Sequence, residues 1–210
     1  MFGGTHRPAE DVPVPMAGFP SPFGDSDDDV FDEYGEFVPE HLPGPGEFLD
    51  GHRVLTDEEH VRFHELTRDL FEERTVYDMT FNYNLARLNL DTRHMTAGYR
   101  YAEEADEPSI LRAEFTPTTQ FCPQTHTLTI GSFRAWNGLS ERHDYDLVRV
   151  RAAPMHQNSE SVNDRLEELE EEYRSTGEIS HVPDEDGGSP AMGHTTETDP
   201  TSGDGPSAPF

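Results

Sequence analysis

The chain has a single cysteine, Cys122, and the residues around it place this thiol between a strand and a helix. Apolar residues alternate through 110–115, which predicts a strand. Pro123 is typical of the first position of a helix, so a helix is predicted over residues 123–139, with Cys122 as its N-cap residue or the residue just before it. The positive end of a helix dipole favours the thiolate, the form of cysteine that binds soft metals and attacks electrophiles. We therefore predict a reactive or metal-ligating thiol, against the alternative of a small buried apolar residue.

Polar residues near Cys122 could share its chemistry. His126 follows four residues later, and on a helix this spacing would put both side chains on one face, as a Cys/His metal pair needs. Zinc would require two further ligands from elsewhere in the chain. Thr116, Thr118 and Thr119 could donate hydroxyl hydrogen bonds to a thiolate or a bound anion, although turns and caps also use threonine.

A second histidine pair, His60 and His64, has the i, i+4 spacing of a helical metal chelate. Val61 stands where a HExxH motif carries its glutamate, so the pair lacks a metalloprotease signature. We interpret both histidines as part of a solvated helix face. The sequence also holds no glycine-rich phosphate loop, no Ser-His-Asp order and no distinct pair of carboxylates, so it gives no direct indication of catalysis.

The elements that must position Cys122 predict a small α+β domain. Thr56 and Glu59 have the spacing of a capping box at the start of the first helix, and Trp136 and Phe133 are expected in the core. Apolar periodicity indicates helices over 57–73, 123–139 and 159–173, and strands over 76–84, 95–101, 110–115 and 145–150. This order predicts a mixed sheet of about four strands with helices packed on one side.

Acidic segments rich in proline and glycine flank the predicted domain, which spans residues 51–175. Residues 176–210 are expected to form a disordered tail. Residues 1–50 are expected to be disordered as well, but aromatic residues are interleaved with their acidic ones. Such a segment could instead dock on a partner or fold back on its own domain.

The charge of the chain argues against two classes of partner. The formal net charge of −28 comes from 43 acidic and 15 basic residues, and every basic residue is arginine. This excess repels nucleic acid and anionic membrane surfaces. A lysine-free acidic surface resembles that of proteins from salt-loving archaea, whose molar salt shortens the Debye length to about 3 Å and screens the repulsion. With no apolar run of membrane-spanning length, no signal peptide and a lone thiol that stays reduced, a cytoplasmic location is expected.

Several sequence pieces, taken in order, resemble the iron–sulfur cluster assembly factors of the SufT and PaaD type. In that family a strand ends in a Thr-Pro stretch, and a cysteine then begins a helix with a Leu-Ile-Gly face. A valine-rich strand, a turn containing histidine and a helix that opens near Val-Asn follow. This chain has Thr116-Pro117 before Cys122, then Leu128-Thr129-Ile130-Gly131, Leu147-Val148-Arg149-Val150, Pro154-Met155-His156 and Val162-Asn163.

The resemblance implies a non-catalytic factor in iron–sulfur cluster assembly, or in delivery of clusters to client proteins, with Cys122 as its key thiol. It also implies that the turn of His156 lies near the cysteine loop, which makes His156 the candidate third metal ligand beside Cys122 and His126. One cysteine cannot hold a cluster alone, because clusters usually take four protein ligands. A transient cluster or iron would therefore be shared with a client, a scaffold protein or a second copy in a homodimer.

Two alternatives remain open from the residues alone. Cys122 with His126 or His156 as its base would make a small thiol-dependent enzyme, or a zinc-dependent one with zinc as the cofactor. The domain could otherwise be an interaction module that keeps the fold without the chemistry.

Overall fold

The computed structural model describes residues 30–179, so most of both predicted tails lies outside the described residues. The helices are α1 (Asp57–Arg74), α2 (Thr125–Gly138) and α3 (Ser159–Thr176). The strands are β1 (Arg53–Val54), β2 (Tyr77–Asp78), β3 (Tyr83–Asn84), β4 (Gly98–Glu103), β5 (Ile110–Thr116) and β6 (Leu147–Ala152). None of the helices in the described range has both the length and the apolar character needed to cross a bilayer.

Four strands form one mixed sheet in the order β1-β4-β5-β6. Strand β4 runs antiparallel to β1 and β5, whereas β6 is parallel to β5 and is reached through α2 as the crossover. Strands β2 and β3 form a separate two-stranded sheet. The domain is therefore α+β with a four-stranded mixed sheet, as the order of elements predicts.

The core lies between one face of the sheet and helices α1 and α2. Tyr99 and Tyr101 of β4 are fully buried, and their rings contact the edge of Trp136 from α2 at centroid distances of 5.0 and 6.2 Å. Phe63 of α1 contacts Tyr101 in the same cluster. Trp136 and Phe133 are 0% and 1% exposed, which confirms their predicted place in the core.

Helix α3 lies along β6 and contacts both its backbone and its outward-facing side chains. The amide of Asn163 accepts a hydrogen bond from the N–H of Ala152 at 2.8 Å and donates one to its carbonyl at 3.0 Å. The buried carboxylate of Glu170 pairs with Arg149 and Arg151 of β6. Through these bonds α3 covers a strand edge that would otherwise be open to another chain.

Residues 30–50, which we call the strap, lie against the domain, as in the fold-back alternative for the N-terminal segment. Leu42 and Leu49 are buried, at 7% and 1% exposure. Phe31 forms an isolated β-bridge with Asp91. The strap also contains the 3-10 helix Glu47–Leu49.

The capping box predicted at the start of α1 does not form. Thr56 is the N-cap residue, but its side chain makes no capping hydrogen bond. The carboxylate of Glu59 pairs instead with Arg53 of β1, which takes away the partner that the box requires.

The segment 76–84, predicted as one strand, is two strands of two residues joined by a turn. The Asp78 carboxylate accepts hydrogen bonds from the backbone N–H groups of Thr80 at 2.7 Å and Phe81 at 3.2 Å. An aspartate that bonds the backbone two residues onward favours a turn over an extended strand. This local bond explains why the prediction of a single strand was wrong.

Candidate functional site

Cys122 lies half-buried in the loop between the end of β5 and the start of α2. Its N–H donates to the carbonyl of Thr119 at 3.3 Å, and its carbonyl accepts from the N–H of Thr125 at 3.4 Å. Helix α2 begins at Thr125 with Gln124 as its N-cap residue, so the prediction of Cys122 as the N-cap or the residue just before it was wrong. The thiol stands two residues before the cap because successive turns take up residues 119–124.

His156, in the turn after β6, is hydrogen-bonded to this loop. Its Nε2 lies 3.0 Å from the carbonyl oxygen of Cys122, which accepts only, so Nε2 carries the proton and donates. Its Nδ1 accepts from the N–H of Asn158 at 3.3 Å. His156 is thus a neutral imidazole, 5% exposed, with both ring nitrogens engaged.

Backbone bonds join the same turn to the loop at two further points. The N–H of Ala153 donates to the carbonyl of Phe115 at 2.8 Å, and the N–H of Gln157 donates to the carbonyl of Gln120 at 3.0 Å. The loop and the turn follow adjacent parallel strands, β5 and β6, whose carboxyl ends meet at one edge of the sheet. The thiol is therefore carried on a loop that the next strand's turn holds in place.

Three large apolar side chains are exposed on or beside the loop. Phe121 is 60% exposed, Met155 is 45% exposed and Met79 is 75% exposed. Phe121 directly precedes Cys122, Met155 lies in the bonded turn, and the N–H of Met79 donates to the side chain of Gln124 at 3.0 Å. Clustered exposed apolar side chains are typical of protein-binding surfaces. We call Met79, Phe121 and Met155 the apolar rim; sequence reasoning missed it because nothing local marks an apolar residue in a turn as exposed.

The three predicted metal ligands do not converge on one point. His126 is the second residue of α2, and Cys122 lies outside that helix, so their spacing does not put them on a shared helical face. The ring nitrogens of His156 are both hydrogen-bonded, as described above. Within residues 30–179, no group of three or more His, Cys, Asp or Glu side chains is arranged to hold a metal ion.

The three candidate threonines lie around the start of the loop. Thr116 is the last residue of β5, Thr118 is half-buried, and Thr119 is exposed. Thr119 contacts Cys122 through its backbone carbonyl. Thr125, which the sequence analysis did not single out, is fully buried at the start of α2, and its hydroxyl has no hydrogen-bond partner among the described residues.

The expectation that His60 and His64 form a solvated face was wrong. They are 3% and 2% exposed, and their rings stack at 5.6 Å. His64 Nε2 donates to the carbonyl of Ala86 at 2.9 Å, so its Nδ1 accepts from the hydroxyl of Tyr101 at 3.0 Å. Burial lowers the pKa of His64 to about 4 and that of His60 to about 2, which keeps both rings neutral at neutral pH.

The strap is what removes these histidines from water. The Phe37 ring lies 5.4 Å from the ring of His60, and the Tyr34 ring stacks over His64 at 6.4 Å. The sequence signal for this cover was the set of aromatic residues interleaved with the acidic ones. Their partners were not identifiable because the two segments are far apart in the chain.

Comparison with known families finds one match, over residues 29–180, to a family described as a domain of unknown function, DUF7998. The chain belongs to this family. The matched segment includes every described residue, so the DUF7998 domain comprises the strap as well as the sheet and helices. Comparison with curated proteins and with solved structures finds no significant match.

Proposed function

We propose that this DUF7998 domain is a non-catalytic factor in iron–sulfur cluster assembly or delivery, with Cys122 as its key thiol. The observation that carries the proposal is the bond from His156 Nε2 to the carbonyl of Cys122, across 34 residues of sequence. The cysteine and the histidine belong to separate pieces of the motif that resembles the SufT and PaaD type. Their contact gives the order of those pieces a structural reason.

The last piece of the motif, Val162-Asn163, supports the same interpretation. Asn163 bonds both backbone groups of Ala152 at the end of β6, and the N–H of the following Ala153 donates to Phe115 at the end of β5. Four motif residues, namely Thr116, Cys122, His156 and Asn163, therefore lie around the carboxyl ends of β5 and β6. This arrangement places them at one edge of the sheet, which is where α/β proteins most often bind their ligands.

The surroundings of the thiol favour a partner protein over a small substrate. Cys122 is accessible at its half-buried position, and the apolar rim beside it is exposed. One thiolate supplies one of the four ligands that a cluster usually takes from proteins. The remaining ligands would come from a client, a scaffold protein or a second copy that docks on the rim.

The thiol-enzyme alternative has less support in the geometry. His156 has no free ring nitrogen to act as the base for Cys122, since Nε2 donates and Nδ1 accepts within the turn. Zinc as the cofactor would need a convergent set of ligands, which residues 30–179 do not provide.

The experiment that tests the proposal compares wild type with Cys122→Ser in cells. We expect the activity of client iron–sulfur enzymes to fall in the variant, whereas their protein levels stay the same. Fully active clients in Cys122→Ser cells would overturn the proposal. In parallel, protein purified without oxygen in molar KCl is mixed with a cluster-loaded scaffold, and iron and sulfide bound to the chain are measured.

A matched pair of variants tests the apolar rim. Phe121→Ser with Met155→Ser should reduce client activity while Cys122 remains present. Met95→Ser is the control, because Met95 is exposed to a similar degree, at 54%, but lies outside the rim. Equal effects of the rim variant and the control would contradict partner docking at the rim.

A further inference from the structure

The outer face of the sheet, opposite the core, is lined by arginines. Arg100 of β4, Arg112 of β5, and Arg149 and Arg151 of β6 alternate with the buried core residues of their strands. Strand pairing puts Arg100, Glu114 and Arg151 in one row across three strands. We call these four arginines the arginine face.

The strap covers the arginine face with two of its aromatic rings. Phe48 lies under the guanidinium groups of Arg112 and Arg151, at 4.7 and 5.3 Å from the ring centroid. Its backbone carbonyl accepts a hydrogen bond from Arg112 at 2.9 Å. Phe37 lies 5.8 Å from the guanidinium of Arg100.

Arginine–aromatic contacts are concentrated in the strap. Six contacts between a guanidinium and a ring are found within residues 30–179, and in each the ring belongs to a strap residue. About two would be expected at the usual frequency of one per 70–80 residues. The strap supplies Phe31, Tyr34, Phe37 and Phe48 as these rings and also carries six acidic residues and no arginine. Three of the six contacts, those of Phe37 and Phe48, are with the arginine face. The other three are with Arg68, Arg87 and Arg93.

The strap leaves charged atoms beneath it without partners. Arg100 is 7% exposed, and its Nε and Nη1 have no hydrogen-bond partner among the described residues. Glu114 is 2% exposed; its Oε1 accepts from the N–H of Gly46 at 2.9 Å, whereas its Oε2 has no partner. A buried polar group left without a hydrogen bond destabilises the closed state, and a charged group does so more strongly. When the strap opens, water reaches these atoms. The state in which the strap covers the arginine face is therefore less stable than the strap's contacts alone would make it.

We propose that the arginine face is a docking surface for an acidic, aromatic-bearing segment of a partner protein, and that the strap occupies it until the partner displaces it. The partner segment places rings on the guanidinium groups as Phe37 and Phe48 do. It also brings a carboxylate to Arg100, which has no carboxylate partner among the described residues. Gly51, with φ +78, directly follows the strap and is separated from β1 by one residue. This surface is a different one from the Cys122 loop, and the proposal stands without the proposed function.

The test uses the full chain in molar KCl and a labelled synthetic peptide with the sequence of residues 30–50. Full-length chain with Phe37→Leu and Phe48→Leu keeps apolar side chains in the strap but removes the rings. We expect it to bind the peptide at least tenfold more tightly than wild type, whose own strap competes. The same peptide with both phenylalanines replaced by leucine should bind at least tenfold more weakly. Fluorescence anisotropy gives the dissociation constants.

Four results would overturn the proposal. The folded variant chain fails to bind the peptide, or it binds the leucine peptide equally well. Light scattering shows instead that the chain forms dimers in which the strap is exchanged, which would make the occupant a second copy. Hydrogen exchange on wild type does not depend on any variant folding: the N–H of Gly46 should exchange through local opening, and exchange only through global unfolding would also overturn the proposal.

Discussion

The imidazole of His156 donates to the backbone carbonyl of Cys122 at 3.0 Å, and it does so as a neutral ring that is 5% exposed. The histidine therefore acts on the thiol through the shape of the loop and makes no bond to the sulfur that the structure records. A Cys/His pair in a sequence is compatible with metal ligation and with loop positioning, and the hydrogen bond from His156 to the Cys122 carbonyl favours loop positioning.

Replacing His156 should loosen the loop and also lower stability. His156→Ala removes a buried hydrogen bond and leaves a cavity, and we expect a loss of about 2 kcal/mol in the free energy of unfolding. Alkylation of Cys122 by iodoacetamide should become faster because the loop opens more often. His126→Ala is the control, since His126 is half-buried on α2 and should cost under about 0.5 kcal/mol. Equal alkylation rates in the two variants would argue against the positioning role.

Acid should destabilise the domain through the buried histidine pair. Burial lowers the pKa of His60 to about 2 and that of His64 to about 4, whereas both titrate near 6.5 in the unfolded chain. Below pH 6.5 the unfolded state therefore binds protons that the folded state does not. The free energy of unfolding is highest above this pH and falls as the pH is lowered through it. Each histidine lowers the free energy of unfolding by up to about 1.4 kcal/mol per pH unit between pH 6 and pH 4.5.

The variant His60→Phe isolates one of these contributions. It keeps a ring against Phe37 and removes the Nδ1 atom, which is buried without a partner. In urea unfolding between pH 7 and pH 4.5, the free energy of unfolding should fall less steeply with decreasing pH than in wild type, by up to about 1.4 kcal/mol per pH unit at the acidic end. Parallel curves for the two proteins would contradict the prediction.

Neutralising Glu170 should be costly, because its carboxylate is the shared partner of two arginines. It lies 2.7 Å from Arg149 Nε and 3.1 Å from Arg151 Nη1, and its side chain is 5% exposed. Glu170→Gln removes the buried carboxylate that both arginines share, while Arg149 keeps Glu104 and Arg151 keeps Glu167 as partners. We expect a loss of about 2 kcal/mol, the range of a hydrogen bond to a charged group. Glu168→Gln is the matched control: its side chain is 69% exposed and pairs with Arg165, so it should change stability by less than about 1 kcal/mol. Chemical denaturation at constant salt compares them.

Salt should stabilise the folded chain. The net charge of −28 is strongly repulsive when it is compacted into a fold. Lowering KCl from 1 M to 0.1 M lengthens the Debye length from about 3 Å to about 10 Å, so repulsion between surface carboxylates reaches further. We expect the thermal midpoint to fall steadily over this range in scanning calorimetry. A midpoint that is independent of salt would contradict the interpretation of the acidic surface as adaptation to high salt.

The order and type of the main elements were predictable because each helix or long strand carries its own apolar period. Helices α1 and α3 begin at the predicted residue, and β5 matches to within one residue at its end. Helix α2 begins two residues later than predicted, since proline marks a permissible helix start but does not specify the turns that precede it. Local periodicity therefore located the loop that carries Cys122, but not the loop's geometry.

The parts that were missed depend on contacts between distant segments. His60 and His64 are polar, which suggested exposure, but Tyr101 of β4 and the strap residues Tyr34 and Phe37 pack against them from distant parts of the chain. The apolar rim depends on loops that meet after folding. For His156 and Cys122, the family resemblance predicted only that the histidine turn lies near the cysteine loop, and not the hydrogen bond between them.

The parallel pairing of β5 and β6 has a consequence for biosynthesis. The loop that holds the thiol emerges from the ribosome before the strand and turn that fix its shape, because Ala153, His156 and Gln157 all come later in the chain. Domains fold largely as units during synthesis. A nascent chain that stops before the turn of His156 exposes Cys122 in an unfixed loop, so the thiol reaches its working geometry only when translation has passed that turn.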